Sequence, residues 1–409
     1  MDDDHRASGL VKLIAEKRLP DRPAASVAPS RGNPSSGVHK HRVIFIDLAR
    51  ALAVVFMLYG HAVDALLAPQ YRTGVWFDVW TFQRGLTSSL FLLLSGFAFS
   101  VATVRHWSNH TRISRQVLTR GRRFATFVLL GYALHFPVPK LAELFTVTDE
   151  RWRAFLAIDV LQLIGATFLA IQLLVLLTRT RRALTTTVLI LACAIVLATP
   201  TLWLADWPHR LPVWLSNYVE PSNGSQFPLF PWSGYILLGV GLGQLYGRWG
   251  AAHLPSFANA VLLGGGTSMI ICGLLLRPLA SGVFGGGQWT FIPPEVLVRA
   301  GTCLVILGAI AHGSRVIDTL PRVFGAVAQE TLLIYFVHLC IVYGSIWSPG
   351  LYQLYGTTLA PLQVLAVIVA LISAMTALAW QWNWLKHTSP HAARLISIAA
   401  LILLILPLI

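Results

Sequence analysis

From Ile44 onward the sequence is a succession of apolar runs, 16 to 25 residues long, separated by polar connections. About 20 helical residues cross a hydrocarbon core. Lipid offers backbone N–H and C=O groups no partner, so runs of this length must satisfy themselves as helices. Eleven spans are expected, near 44–67, 86–104, 123–138, 155–177, 183–205, 229–247, 257–280, 297–312, 323–346, 360–384 and 391–409. The third and last are the weakest, so the count is ten or eleven. Charged residues make up only 12% of the chain, against about 25% in soluble domains. The fold class is therefore an all-α polytopic integral membrane protein whose partner is the lipid bilayer, and ordinary soluble enzymes are excluded.

Residues 1–41 are polar and rich in Ser, Pro and Gly before the first span. They lack the apolar centre of a signal peptide and read as a disordered tail, leaving 42–409 as the membrane domain. The net charge of +14 would suggest nucleic acid in a soluble domain. Here its distribution reports orientation, and no nucleic-acid partner is expected. With the tail inside, 22 Lys and Arg fall on inner segments and 8 on outer ones, with Arg50 inside the first span. Cytoplasmic loops retain such an excess, so the N-terminus is expected to be cytoplasmic. The four cysteines lie inside apolar runs without paired spacing, which leaves neither a disulfide framework nor a metal motif.

Ionisable groups at membrane depth are costly and usually mark a functional path. The first span, IDLARALAVVFMLYGHAVDALL, carries Asp47, Arg50, His61 and Asp64. At 3.6 residues per turn they share one face, spread over about 100°. Asp47 and Arg50 can pair as neighbours on the helix, either as a structural ion pair or beside the chemistry. His61 lies roughly 16 Å further toward the outside. A histidine with a carboxylate one turn away, here Asp64, can be fixed in one tautomer and used as a base. Alternating the spans brings His135, Asp159, Gln162, Tyr335 and His338 to the same outer depth. These groups are expected to converge on one polar pocket; separate interhelical hydrogen bonds are the plainer alternative.

The inner loop 105–124 has six Arg and no acid. It serves as a positive-inside signal, and Arg120, Arg122 and Arg123 also suit phosphate. Gly239, Gly243 and Gly247, spaced by four, predict close helix packing rather than a nucleotide loop. An outer connection over 207–227 and a Gly-rich outer loop over 282–295 complete the organisation. No Walker, H-E-x-x-H or G-x-S-x-G motif is present.

The run IDLARALAVVFMLYGH resembles the first helix of the integral-membrane acyltransferases that O-acylate cell-surface glycans. FLLLSGFAFS (91–100), the Arg-rich loop, DVLQLIG (159–165), FPLFPWSGYILLGVGLG (227–243) and GAVAQETLLIYFVHL (325–339) are similar to a sister group. That group is the heparan-alpha-glucosaminide N-acetyltransferase catalytic domain and its bacterial relatives. The resemblance spans about 42–345. It implies a many-helix enzyme of the bacterial plasma membrane taking acetyl-CoA, or another acyl-CoA, from the cytoplasm and acylating a saccharide or glycan on the far side. His61 matches the polar position after the Asp and Arg of the first helix, a His in the O-acylating branch. The animal N-acetyltransferase's later active-site His has no counterpart, since no His lies between Ala62 and Arg105, and Ala51 replaces the usual Gly.

On this reading His61 is the base, oriented by Asp64 or Asp159, with His135 and His338 beside it. Arg50, Arg120, Arg122 and Arg123 face acyl-CoA, and Gln162, Trp232 and Tyr335 face the acceptor. Asp47 is structural, and no metal is expected. The acceptor, O- against N-acylation and the oligomeric state, homodimer included, stay open. A proton-coupled transporter using the same His and Asp set is the rival; it predicts a broken helix in each of two symmetric halves.

Overall fold

A computed structural model describes residues 43–138, 140–284, 293–317, 319–345 and 348–405. The tail over 1–41 and the centre of the 282–295 loop lie outside the described residues. In order, the helices are α1 (Ile44–Leu66), α2 (Val75–Arg105), α3 (Trp107–His110), α4 (Arg115–Leu134), α5 (Asp149–Leu156), α6 (Val160–Thr178), α7 (Arg181–Leu204), α8 (Val213–Val219) and α9 (Leu229–Trp249). There follow α10 (Leu254–Phe257), α11 (Gly265–Phe284), α12 (Pro293–Gly313), α13 (Arg322–Gln329), α14 (Thr331–Val342), α15 (Leu351–Tyr355), α16 (Pro361–Thr388) and α17 (Pro390–Ile405). One two-stranded antiparallel ribbon, β1 (Gly344–Ser345) with β2 (Ser348–Pro349), pairs Gly344 with Pro349.

The protein is all-α and polytopic. Among the described residues, seven helical stretches are long and apolar enough to cross a membrane, and an eighth if the bent pair α13–α14 is one span. Helices α4, α9 and α17 stand where the third, sixth and eleventh spans are expected. Helix α9 is buried at 14 of its 21 positions. A helix enclosed by protein needs no lipid-facing apolar stripe, which is why its composition is Gly-rich and mixed.

Close backbone approach fixes the crossing of α2 and α9. A Cβ at Gly96 would collide with the Ile236 carbonyl oxygen, and one at Gly239 with that of Leu93. The expected role of the glycine spacing is thus realised. Helix α1 contributes to two apolar cores. Ala51, Val54 and Leu58 join α6, α9 and α16 residues on one side; Phe45, Ala49 and Ala53 join α2 and α12 residues on the other.

Two departures from the expected spans position the site. Helix α2 begins at Val75, eleven residues before the apolar run, because VWFDVWTFQRG contains no helix breaker between Gly74 and Gly85. At 31 residues it is about 46 Å long, more than the hydrocarbon core requires. The expected single span over 323–346 is instead broken at Glu330, with a 73° bend between α13 and α14. The buried Glu330 carboxylate is held there from α16, by Asn383 Nδ2 at 3.1 Å and Lys386 Nζ at 2.5 Å.

Candidate active site

At one end of the bundle, the last turns of α1, the N-terminal part of α2, the end of α4, the start of α6 and the length of α14 enclose a cavity of about 530 Å³. Its polar wall includes His61, Asp64, Arg84, His135, Asp159 and Tyr335. Met57, Phe91, Leu134, Phe227 and Leu339 make the wall partly apolar. Pockets of this size, apolar with a few converging polar groups, are the usual form of a small-molecule site.

Each group is placed by local structure. Arg72 ties down the end of α1, donating to the carbonyls of Asp64 and Leu67 at 2.8 Å. A cation on the last carbonyls of a helix also opposes its dipole. Asp159 is the N-cap of α6: its Oδ1 accepts from Val160 N at 2.7 Å, and Gln162 Oε1 accepts from Asp159 N at 3.2 Å, closing a capping box. The free oxygen, Oδ2, accepts from the Tyr335 hydroxyl at 3.1 Å and stands 3.4 Å from His135 Nε2.

The half-buried His61 on the cavity wall and the fully buried His338 lie side by side. The His61 and His338 rings are 5.2 Å apart between centroids, and His61 Nδ1 lies 3.0 Å from the Tyr343 hydroxyl. His338 Nδ1 is 2.8 Å from the Ile334 carbonyl oxygen. A carbonyl only accepts, so that nitrogen carries the proton and Nε2 bears the lone pair. Among the described residues Nε2 has no hydrogen-bond partner.

Asp64 does not orient His61. Its Oδ2 accepts from Arg84 Nε at 2.7 Å, because the early start of α2 delivers a guanidinium that outcompetes a neutral imidazole for the carboxylate. Gln162 gives its Oε1 to the capping box and is fully buried against Gly131, off the cavity wall. Trp232 is also buried, 4.9 Å from Phe227 between ring centroids, and supports the wall rather than forming it. His338 sits directly behind His61.

At the opposite end, Arg120 folds onto α2. Its Nη1 donates to Thr103 Oγ1 at 2.8 Å, its Nη2 to the Phe99 carbonyl at 3.1 Å, and its guanidinium lies 4.1 Å from the centre of the Phe99 ring. Arg122 and Arg123 are exposed. Arg50 Nη2 donates to Thr331 Oγ1 at 3.4 Å, just past the break, with Asp47 one turn away acting on it electrostatically. Among the described residues no cluster of His, Cys, Asp and Glu is arranged to hold a metal ion.

Arg84 and Tyr343 were not legible as site residues. Arg84 lies outside the apolar run that marks the second span. Tyr343 falls eight residues after Tyr335, about 80° around the same helix, and that spacing was the available signal.

The family model described as heparan-alpha-glucosaminide N-acetyltransferase, catalytic, matches residues 42–272. The chain belongs to that family. Comparison with curated proteins gives no match. Membership in the heparan-alpha-glucosaminide N-acetyltransferase catalytic family makes it a membrane enzyme of the acetyltransferase kind. The match includes His61, Asp64, Arg84, His135 and Asp159 and ends before α14, so Tyr335, Leu339 and Tyr343 complete the cavity from beyond it.

Proposed function

We propose that the enzyme moves an acetyl or other short acyl group from cytoplasmic acyl-CoA to a hydroxyl or amine of a saccharide on the opposite side, with His61 as general base. The observation that carries this reading is the convergence of His61, Arg84, Asp159, Tyr335 and Tyr343 on one cavity near the end of the bundle. That end is the outer one if the base-rich segments face the cytoplasm of a bacterium, as the charge asymmetry favours.

In the tautomer with His61 Nδ1–H donating to the Tyr343 oxygen, Nε2 is free to take a proton. The acceptor proton passes to Nε2 as the acceptor oxygen or nitrogen attacks the thioester carbonyl. The C–S bond then breaks, and the leaving CoA sulfur takes the proton from His61 Nε2 to become the thiol, which restores the neutral imidazole. Tyr343 holds the ring, and Arg84, itself held by Asp64, supplies positive charge for the developing oxyanion. Asp159 positions Tyr335 and His135 on the acceptor side.

For the donor, Arg122 and Arg123 fit phosphate because they are exposed, whereas Arg120 is spent on α2. Transport is the weaker reading. It expects two symmetric broken helices, and the described residues contain one such pair, α13–α14.

The test is purified protein with radiolabelled acetyl-CoA and a panel of amino and neutral sugars. Label in a sugar product with equimolar CoA release supports the proposal. Uptake of an unmodified sugar into vesicles without CoA release would favour transport.

A further inference from the structure

We propose that the ends of α7 and α9 remote from the reaction cavity form a binding site for the headgroup phosphate of an anionic phospholipid, built around Arg181 and Arg248. This site is independent of the acyl-transfer reading. Helix α7 starts and α9 ends at the end of the bundle opposite His61, the end that the charge asymmetry favours for the cytoplasmic leaflet.

Positive charge accumulates there without compensation. Arg181 and Arg182 occupy the first turn of α7, which holds no acid, and Arg179 precedes them as the C-cap of α6. The N-terminus of a helix is its positive end, so cations there are unfavourable and an anion is favoured. Arg248 reaches across from the last turn of α9, its Nη2 donating to Thr185 Oγ1 at 3.2 Å, and its charge repels that of Arg181. Among the described residues neither guanidinium meets a carboxylate.

The hydrogen bonding points the same way. Arg181 Nε donates to Gln244 Oε1 at 3.3 Å, which sets the Gln244 amide beside the guanidinium. Gln244 is fully buried, yet among the described residues its Nε2 has no partner, and neither has Arg181 Nη2. Buried donors without an acceptor are rare, and a bound ion or water is a usual reason for them. Gly247 supplies the room: it is exposed, and a Cβ there would lie 2.8 Å from Arg181 Nη2. Phosphate oxygens in this notch would accept from both arginines, whose planar guanidinium groups match them.

The surroundings identify the source of the phosphate. Trp249, next to Arg248, is exposed, as are Leu173 and Leu177 of α6 and Ile190 of α7. An aromatic ring suits headgroup level, and basic groups between helices on this side of a membrane suit anionic headgroups. Acyl chains can then lie along the apolar surface of α6 and α7. None of these residues lines the reaction cavity.

The experiment strips the full-length protein of lipid in detergent and titrates it with phosphatidylglycerol or with phosphatidylcholine of the same chains, counting bound lipid by native mass spectrometry. Phosphatidylglycerol should bind at least about tenfold tighter, since each basic residue near an anionic headgroup is worth about fivefold. Arg248→Gln and Gly247→Leu should each remove most of that preference, the second without altering the net charge. Arg315→Gln, which removes an exposed charge after α12 at the same end of the bundle, should leave it intact. An unchanged thermal midpoint in phosphatidylcholine shows that the variants are folded. No preference in the unaltered protein, an equal loss in Arg315→Gln, or a preference that survives both Arg248→Gln and Gly247→Leu would overturn the site. Displacement of phosphatidylglycerol by CoA or inorganic phosphate, beyond that caused by sodium chloride of equal ionic strength, would give the notch to a soluble phosphate and contradict the lipid.

Discussion

Asp64 Oδ2 accepts from Arg84 Nε at 2.7 Å across the cavity wall, so the carboxylate one turn from His61 serves the guanidinium and not the imidazole. The pair is partly exposed, at 34% and 23% of the two side chains, and its coupling is expected at about 1 kcal/mol. Asp64→Asn and Arg84→Gln should each lower kcat/KM about tenfold if Arg84 supplies charge in the transition state. The double variant should lose less than the product of the two. Strict multiplication in a double-mutant cycle would show that the pair does not act as a unit.

Tyr343 is assigned the orienting role that Asp64 lacks. A hydrogen bond to a charged group contributes about 1.5–3 kcal/mol, so Tyr343→Phe should reduce kcat about 10- to 150-fold. Acyl-CoA affinity should be unchanged. A change confined to acyl-CoA affinity would place Tyr343 on the donor path instead.

The arginines of the inner loop divide by environment. Arg122→Gln with Arg123→Gln should weaken acyl-CoA binding, and added salt should shrink the difference from the unaltered protein. Arg120→Gln should instead lower the thermal midpoint, since Arg120 joins α4 to Thr103 and Phe99 of α2. Equal loss of acyl-CoA affinity in both, with stability intact, would show that Arg120 leaves α2 to bind phosphate.

His110, in the short helix α3 between two long ones, has its Nδ1 3.5 Å from Arg120 Nη1. Burial, with the charge of Arg120 next in weight, lowers its pKa to about 4, from about 6.5 in the unfolded chain. As pH falls from about 6.5 to 4, the unfolded chain takes up a proton that the folded one excludes, so stability is lost across that window. Thermal midpoints at pH 7 and pH 4.5 should differ less for His110→Gln, which keeps an acceptor for Arg120, than for the unaltered protein. Identical shifts would remove His110 from the acid response.

The all-α polytopic fold was legible because membrane length and helical periodicity are properties of single segments. The partners were not. Arg84 reaches Asp64 only because α2 continues helically through a polar stretch that hydropathy excludes. The Glu330 carboxylate at the break meets Asn383 and Lys386, more than fifty residues away in sequence. The capping role of Gln162 is not legible in the sequence, because an N-cap partner and a ligand-facing amide look alike until the start of α6 is placed. The glycines of α9 were read correctly because spacing by four predicts a face, and that face meets α2.

The central claim is that His61 removes a proton from the acceptor, and His61→Asn tests it most directly. Asparagine keeps hydrogen bonding but cannot take the proton near neutral pH. General-base assistance contributes about 10² to 10⁴ in rate. Single-turnover transfer from radiolabelled acetyl-CoA to a sugar should slow in His61→Asn by about that factor, with acyl-CoA binding retained. Transfer at near the unaltered rate would contradict the claim and move the base to His338, whose unpartnered Nε2 lies behind His61.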